Sequence, residues 1–345
     1  MKLSVVGASG YVGGELLRLL LLHPRVEVQQ ATSESQAGKL VAGVHPNLRK
    51  LTTLRFCSLD ELEPCDVLFS ALPHGHFMSR FDQLRSIAPR IVDLSADFRF
   101  RSAEAYTQWY GHEHTKPEAL GRFVYGIPEL HREEIRNASH VTGAGCLATT
   151  AILGLMPLFA AGLVRDNEVF IEAKVGSSAA GNAASLATHH PERSGAVRSF
   201  QPTGHRHTGE IIQELSFHGT PRVHFSATAI ELVRGVHVTA HLFLREDLDE
   251  KGLWNVYRRA YGAEPFIRIV KEAKGVYRYP EPKILIGSNY CDVSFEKDAR
   301  SGRVVVMAAL DNLMKGAAGN GVQAMNLMAG WDERLGLEFP GLHPV

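Results

Sequence analysis

The chain opens on Met1-Lys2-Leu3-Ser4-Val5-Val6 and turns at once through Gly7-Ala8-Ser9-Gly10-Tyr11-Val12-Gly13 into a leucine-rich stretch. A short apolar run, a G-x-x-G-x-x-G turn and a helix, in that order, constrain the fold more than any other feature. Glycine lets the backbone turn tightly and approach a pyrophosphate, and the helix start presents N–H groups and a positive dipole end. A lone glycine match is weak, but here strand and helix flank it. The reading is a dinucleotide-binding turn formed by Gly7, Ser9, Gly10, Tyr11, Val12 and Gly13. The next strand ends at Ala31-Thr32-Ser33-Glu34-Ser35. An acid there would hold the ribose 2′-OH of NAD, and an arginine would accept the 2′-phosphate of NADP. Hydroxyls of Thr32, Ser33 and Ser35 suit a phosphate, whereas Glu34 repels one or simply faces solvent. These residues alone leave NAD against NADP open.

Around this turn the first half alternates strand and helix signals. Strands are expected at 3–6, 26–31, 67–72 and 90–94, with helices at 11–22 and 76–87. Such alternation implies βαβ units and a mostly parallel sheet covered on both faces. The second half differs: strands at 169–175, 223–230, 235–244, 290–295 and 303–309 show polar alternation, with helices near 209–217 and 249–261. That grouping suggests an open α+β domain with one solvated or partner-covered face. A small-residue helix over 312–328 is expected to return to the first domain. The fold class is therefore α/β, with an N-terminal Rossmann-type domain (1–145 with 312–345) and an α+β catalytic and oligomerisation domain (146–311).

With 345 residues, 45% of them apolar, the chain has ample material for two cores. Lys+Arg and Asp+Glu both number 37, so no basic excess supports binding to nucleic acid or an anionic membrane. Residues 141–164 lack charge and approach the length of a membrane span. Their glycines, proline and three threonines instead favour a buried strand–turn–helix. Four cysteines, at 57, 65, 146 and 291, form no metal-type pair. They point to a reducing, cytoplasmic compartment with one reactive thiol.

Cys146 stands out because Gly143-Ala144-Gly145 precedes it, between a strand and a helix start. A free thiol is only a few per cent ionised at neutral pH, and a helix N-terminus or nearby imidazolium favours the thiolate. Gly204-His205-Arg206-His207-Thr208-Gly209-Glu210 follows about 60 residues later. A Cys–His pair activates the thiol, and the imidazole later transfers a proton. Two histidines at i, i+2 lack the further ligands a metal needs, so no metal is expected. Dinucleotide, thiol and imidazole together fit one chemistry: the thiolate takes an acyl group as a thioester, and a hydride reduces it to an aldehyde.

Seven motifs resemble the N-acetyl-γ-glutamyl-phosphate reductase family, within the semialdehyde dehydrogenases. They are GASGYVGGELLRLL (7–20), ALPHG (71–75), DLSADFR (93–99), WYGHEH (109–114), VYGIPEL (124–130), GHRHTGE (204–210) and DNLMKGAAG (311–319). The resemblance spans nearly the whole chain. Arginine-pathway members usually carry Asn-Pro-Gly-Cys-Tyr-Pro-Thr around the thiol, whereas this chain reads Gly143-Ala144-Gly145-Cys146-Leu147-Ala148-Thr149. That departure, GSSAAG at 176–181 and the tail after Gly330-Trp331 are similar to the lysine-biosynthesis branch. There the substrate, an aminoadipyl 6-phosphate, rides on the acidic tail of a LysW-type amino-group carrier protein.

The resemblance implies NADP as cofactor, Cys146 as nucleophile and either His205 or His207 as acid/base. It also implies Asn312 as a cofactor contact and a homo-oligomer, tetramer or dimer. Arg99, Ser178, Arg206 and Glu210 are the substrate-binding candidates, with Arg101 and Arg193 as further anion contacts. Three alternatives stand beside this reading. One is a reductase of arginine biosynthesis acting on a free substrate, another a dual enzyme, and the third an inactive NADP-binding regulator.

Overall fold

Apolar runs in the first half become strands that lie parallel. In chain order the elements are β1 (Lys2–Val6), α1 (Tyr11–Leu20), β2 (Glu27–Thr32), α2 (Val41–Val44), β3 (Phe56–Cys57), β4 (Val67–Ser70), α3 (His76–Ile87), β5 (Arg90–Asp93), α4 (Ala103–Tyr110), β6 (Val124–Gly126), α5 (Pro128–Arg136) and β7 (His140–Gly143). They form a seven-stranded sheet in the order β3-β2-β1-β4-β5-β7-β6, and every neighbouring pair is parallel. A parallel sheet is covered on both faces, which is why its strands are apolar throughout. Leu3, Val5, Val6, Leu68, Phe69, Ile91 and Val92 are all fully buried.

This computed structural model describes all 345 residues, which divide into two units. The first comprises Met1–Ala144 and Ala317–Phe339; the second comprises Gly145–Gly316 and Pro340–Val345. The returning segment is thus shorter than the expected 312–345. It supplies a C-terminal helix, Gly319–Met328, in which all ten residues are buried. That helix packs on α1, α5 and β5. Its small residues make this possible: a Cβ on Gly321 would sit 3.1 Å from Leu94 and 3.4 Å from Val92. No helix is long and apolar enough to cross a membrane.

The second unit is built on α6 (Cys146–Ala160), followed by β8 (Glu168–Val175), α7 (His190–Arg193), β9 (Val197–Gln201), α8 (His207–Glu214), β10 (Arg222–Ile230), β11 (Val236–Phe243), α9 (Glu250–Tyr261), β12 (Ile267–Ile269), β13 (Cys291–Lys297) and β14 (Arg303–Leu310). Its sheet is mixed, in the order β12-β13-β14-β11-β8-β10-β9. Alternation along β8 and β11 buries Val169, Ile171, Ala173, Val236, Val238 and Ala240 beneath α6, while Phe170, Lys174, His237 and His241 face the other way. The uncharged stretch 141–164 is therefore the strand–turn–helix its composition suggests. The two threonines on α6 are satisfied within the helix: Thr149 Oγ1 donates to Gly145 O (3.0 Å) and Thr150 Oγ1 to Cys146 O (2.8 Å).

Four strands are absent from the sequence reading. β3 and β12 have two and three residues, β6 has three, and β9 (VRSFQ) is an edge strand with no buried residue. None offers an apolar run to detect. The expected helix at 312–328 is interrupted: a π-helical turn occupies Met314–Ala318 before the regular helix starts at Gly319.

The DLSADFR motif is a buried polar knot at the end of β5. Asp97 accepts from Gly75 N (2.7 Å) and Met78 N (2.9 Å), which caps the start of α3 from a distance in sequence. Ser95 donates its hydroxyl to Asp93 (2.6 Å). Burial and the Asp97 carboxylate push the Asp93 pKa up to about 7. The unfolded chain loses this proton near pH ~3.9, whereas the folded chain keeps it. Asp93 therefore makes stability fall as pH rises through that interval. The urea midpoint of the wild type minus that of Asp93→Asn is expected to be larger near pH ~5 than near pH ~8. An equal difference at both pH values would mean that Asp93 ionises in the folded chain as it does in the unfolded one.

Candidate functional site

In the first unit the glycine turn is shaped by contacts only glycine permits. Gly7 has φ +74°, and a Cβ there would lie 2.7 Å from Ala71 O. A Cβ on Gly13 would lie 2.5 Å from Ala8 Cα, so α1 starts directly against the turn. Ala8 N–H donates to Thr32 O (2.8 Å) and Gly7 N–H to Thr32 Oγ1 (3.3 Å), tying the turn to the end of β2. Gly10 is the extended residue at the start of α1, and Tyr11, the first helical residue, is exposed. Ser9 Oγ lies 2.7 Å from Ser33 Oγ, with Ser35 Oγ a further 3.5 Å on. Glu34 points elsewhere: its Oε1 accepts from Leu59 N (2.9 Å). The two serines and Ser9 thus form a hydroxyl cluster, and the neighbouring carboxylate is engaged by backbone. A tight turn at a helix N-terminus with converging hydroxyls fits a phosphate-bearing dinucleotide.

In the second unit the chemistry gathers at the start of α6. Cys146 is its first residue and is partly exposed. Gly145 N–H donates to Glu210 Oε2 (2.9 Å), and Glu210 is fully buried on α8. His207, at the N-terminus of α8, lays its ring against Gly145: a Cβ there would be 2.4 Å from Nε2. Its Nε2 stands 3.8 Å from Glu210 Oε1. On another side a Cβ on Gly316 would lie 2.8 Å from Cys146 Cβ. Two bare glycines therefore bracket the thiol, one beneath an imidazole.

The geometry separates the two histidines. His205 Nδ1 accepts the His207 backbone N–H (3.1 Å), and its ring meets the His207 ring edge-on at 4.6 Å. Burial, with the Arg206 charge adding to it, pushes the His205 pKa down to about 4. His205 is thus a neutral support behind His207, which is the imidazole that touches the residue before the thiol.

The remaining candidates fall in several places. Ser178 and Asn312 meet: Asn312 Nδ2 donates to Ser178 Oγ (3.0 Å), and its Oδ1 accepts from Gly235 N (2.7 Å). Asn312 is 2% exposed, and its amide ties loops of the second unit together. Arg206 is exposed beside His207, and Arg101 is exposed in the first unit. Arg193 spends its Nη2 on the carbonyls of Val175 (3.0 Å) and Ile230 (2.6 Å). Arg99 is buried in the first unit, where Nε donates to Gly143 O (2.8 Å) and Ser95 O (3.2 Å). It thereby fixes the end of β7, two residues before Gly145. The sequence reading gave Gly316 no part in the site, and gave Gly145 and Thr32 different parts: room for an approaching substrate and a hydroxyl for a phosphate. The runs GAGC and KGAAG were visible, but glycine spacing does not say which ring or thiol each glycine admits.

Residues 2–138 match the family model described as the semialdehyde dehydrogenase NAD binding domain, and residues 146–312 match the one described as the semialdehyde dehydrogenase dimerisation domain. The chain belongs to the semialdehyde dehydrogenase family. Chains of known structure share the fold. An aspartate semialdehyde dehydrogenase II from Vibrio cholerae superposes with a TM-score of 0.72 at 17% identity, covering 95% of this chain and 98% of that one. The Candida albicans aspartate semialdehyde dehydrogenase with NADP does so at 0.68 and 13% identity, covering 95% of this chain and 98% of its own. Among semialdehyde dehydrogenase relatives of known name, one from Thermomicrobium roseum is 59% identical over 100% of this chain and 99% of its own length. It is named a putative [LysW]-L-2-aminoadipate 6-phosphate reductase. The Deinococcus radiodurans [LysW]-L-2-aminoadipate 6-phosphate reductase is 49% identical over 99% of this chain and 98% of its own. A Nitrosopumilus maritimus relative, 45% identical over the full length of both chains, is named for both [LysW]-L-2-aminoadipate and [LysW]-L-glutamate phosphate.

The contact between Gly145 and the His207 ring sets a test. Gly145→Ala is expected to push the imidazole aside and lower kcat/KM by roughly a hundred-fold, with a lower melting temperature from the overpacking but the chain still folded at the assay temperature. Gly43→Ala serves as control, because a Cβ there meets nothing within 4 Å. A Gly145→Ala chain as active as the control would show that the ring's position against Gly145 is immaterial to turnover.

Proposed function

We propose that this chain is an NADPH-dependent acyl-phosphate reductase. In this reading it converts LysW-linked aminoadipyl 6-phosphate to the semialdehyde through a thioester on Cys146, in lysine biosynthesis. The observation that carries the chemistry is the thiol at the N-terminus of α6 with His207 seated on the preceding glycine and Glu210 holding both. The substrate assignment rests on the full-length relatives named for it.

The residues act in sequence. A thiolate at the α6 N-terminus is stabilised by the helix dipole and the backbone N–H groups there. Its Sγ attacks the acyl carbon, the C–O bond to phosphate breaks, and inorganic phosphate leaves a thioester on Cys146. The nicotinamide, when bound, supplies the hydride that reduces the acyl carbon. His207, the acid/base group, donates a proton to the oxygen that becomes charged and takes it back as the C–S bond breaks, releasing aldehyde and thiolate. Glu210 positions both partners: one oxygen receives the Gly145 N–H, and the other faces the His207 ring. Arg206, exposed beside His207, and Ser178 are the substrate contacts of this reading, and Arg99 acts through the backbone of Gly143.

NADP is favoured over NAD by the Ser9–Ser33–Ser35 hydroxyl cluster, with the Glu34 carboxylate turned onto Leu59 N. Ser33→Asp places a charge beside a 2′-phosphate and is expected to weaken NADPH binding about ten-fold or more while leaving NADH binding nearly unchanged. Equal losses for both cofactors would move the 2′-phosphate away from Ser33. The reading further takes the enzyme to be a cytoplasmic homo-oligomer, with the sheet face bearing Phe170, His237 and His241 as the surface between copies.

The deciding measurement is the reverse reaction, phosphate-dependent NADP reduction, with LysW-linked aminoadipate semialdehyde, LysW-linked glutamate semialdehyde and free N-acetylglutamate semialdehyde compared. Turnover of the carrier-linked aminoadipate substrate is expected, weakening as salt rises, with none in the Cys146→Ala chain. Turnover of the free substrate alone would place the enzyme in arginine biosynthesis. Turnover of both carrier-linked substrates would make it a dual enzyme.

A further inference from the structure

The glycine turn has a support that none of the cofactor motifs contains. His45 follows α2 and is anchored in backbone on both sides: its N–H donates to Val41 O (2.8 Å), and its carbonyl accepts from Leu48 N (3.0 Å). Its half-buried ring reaches back to the turn, with Nε2 2.8 Å from Ala8 O. A carbonyl only accepts, so Nε2 carries the proton and donates. The ring rests on Phe56 at 6.2 Å and an interplanar angle of 67°. It is admitted by Gly14, where a Cβ would lie 2.6 Å from Cε1 and Nδ1. The second glycine of Gly13-Gly14 thus has its own explanation. Gly13 lets the helix approach the turn, and Gly14 lets the imidazole do so.

We propose that His45 is a positioning residue for the phosphate-binding turn. The peptide joining Ala8 and Ser9 is trans, so its C=O and N–H point in opposite directions. Holding Ala8 O with a hydrogen bond on one side therefore aims the Ser9 N–H to the other. That N–H belongs to the set at the start of α1 that a pyrophosphate uses. The other side of the same stretch is already fixed by Thr32, which accepts from Ala8 N and Gly7 N. With His45 in place, both faces of the Ala8 unit are hydrogen-bonded and the turn is organised before the anion arrives. Preorganisation of this kind raises affinity by lowering the ordering cost of binding. His45 touches no reacting atom, so its loss acts on cofactor binding rather than on the chemical step.

This proposal rests on the reading of the turn as an NADPH site, and the experiment separates the two. Full-length wild type, His45→Phe and His45→Gln are titrated with NADPH by fluorescence and assayed at saturating NADPH. Phenylalanine keeps the ring on Phe56 but lacks the donor, and glutamine restores an N–H at similar reach. The expected result is a rise of about ten-fold in the NADPH Kd and KM for His45→Phe, with kcat within about two-fold of wild type and affinity largely restored in His45→Gln. ADP-ribose, which shares the pyrophosphate, should follow the same order. A His45→Phe chain that binds NADPH as tightly as wild type overturns the proposal. So does an equal loss in both variants, because then the donated hydrogen bond is not what matters. A wild-type chain that binds no NADPH overturns the cofactor reading itself and takes the proposal with it. A loss confined to the variants leaves that reading intact.

Discussion

A fully buried carboxyl group needs hydrogen-bond donors around it, and Glu210 takes one of them from the backbone N–H of Gly145. The bond joins the residue before Cys146 to α8, and with it the start of α6 to the helix that carries His207. An unpaired charge at that depth would be costly, so the pairing is hard to relax. The imidazole lies on Gly145 because α8 is pinned there, and the thiol follows one residue later because α6 starts there. The position of the imidazole relative to the thiol is thus set by main chain and by a helix-to-helix tie. Cys146 and His207 are 61 positions apart, and no local sequence rule brings them together.

The dinucleotide turn is organised by the same physical rule. Its backbone groups are claimed one by one, by Thr32 on one side and His45 on the other. Each claimant comes from a different segment of the first unit. In both sites side chains from distant segments hold the backbone in place. Such sites tolerate little change at glycine, since a single Cβ at Gly7, Gly13, Gly14 or Gly145 would enter an occupied space.

Much of this was legible in the sequence because the signals were of the right kind. Apolar runs gave β1, β4 and β5, polar alternation gave β8, β10, β11, β13 and β14, and the glycine turn identified the first unit's ligand class. Cys146 was legible from its glycines and its place between a strand and a helix. What stayed hidden depends on the direction of side chains. Glu34 reads as a ribose or phosphate discriminator by position, yet its carboxylate closes on Leu59 N. Arg99 and Arg193 read as anion contacts by charge, yet both are observed on main-chain carbonyls. Asn312 reads as a cofactor contact by motif, and its amide is observed bracing Ser178 and Gly235. His205 and His207 are indistinguishable by spacing. Geometry separates them: the His205 ring accepts the His207 backbone N–H, while the His207 ring lies against Gly145. The short strands β3, β6 and β12 escaped because they owe their pairing to neighbours rather than to their own composition.

The return of the C-terminal helix to the first unit also has a consequence in time. During synthesis residues 1–144 emerge first, yet the helix that covers α1, α5 and β5 is encoded about 175 residues later. At ~5–20 residues per second that interval is on the order of 10–35 s. Throughout it the nascent parallel sheet lacks part of one face, and the surfaces that meet Val322, Met325 and Leu327 stand open to water or to a chaperone. The nucleotide turn, made in the first few seconds, therefore waits for almost the whole chain before its own unit is closed.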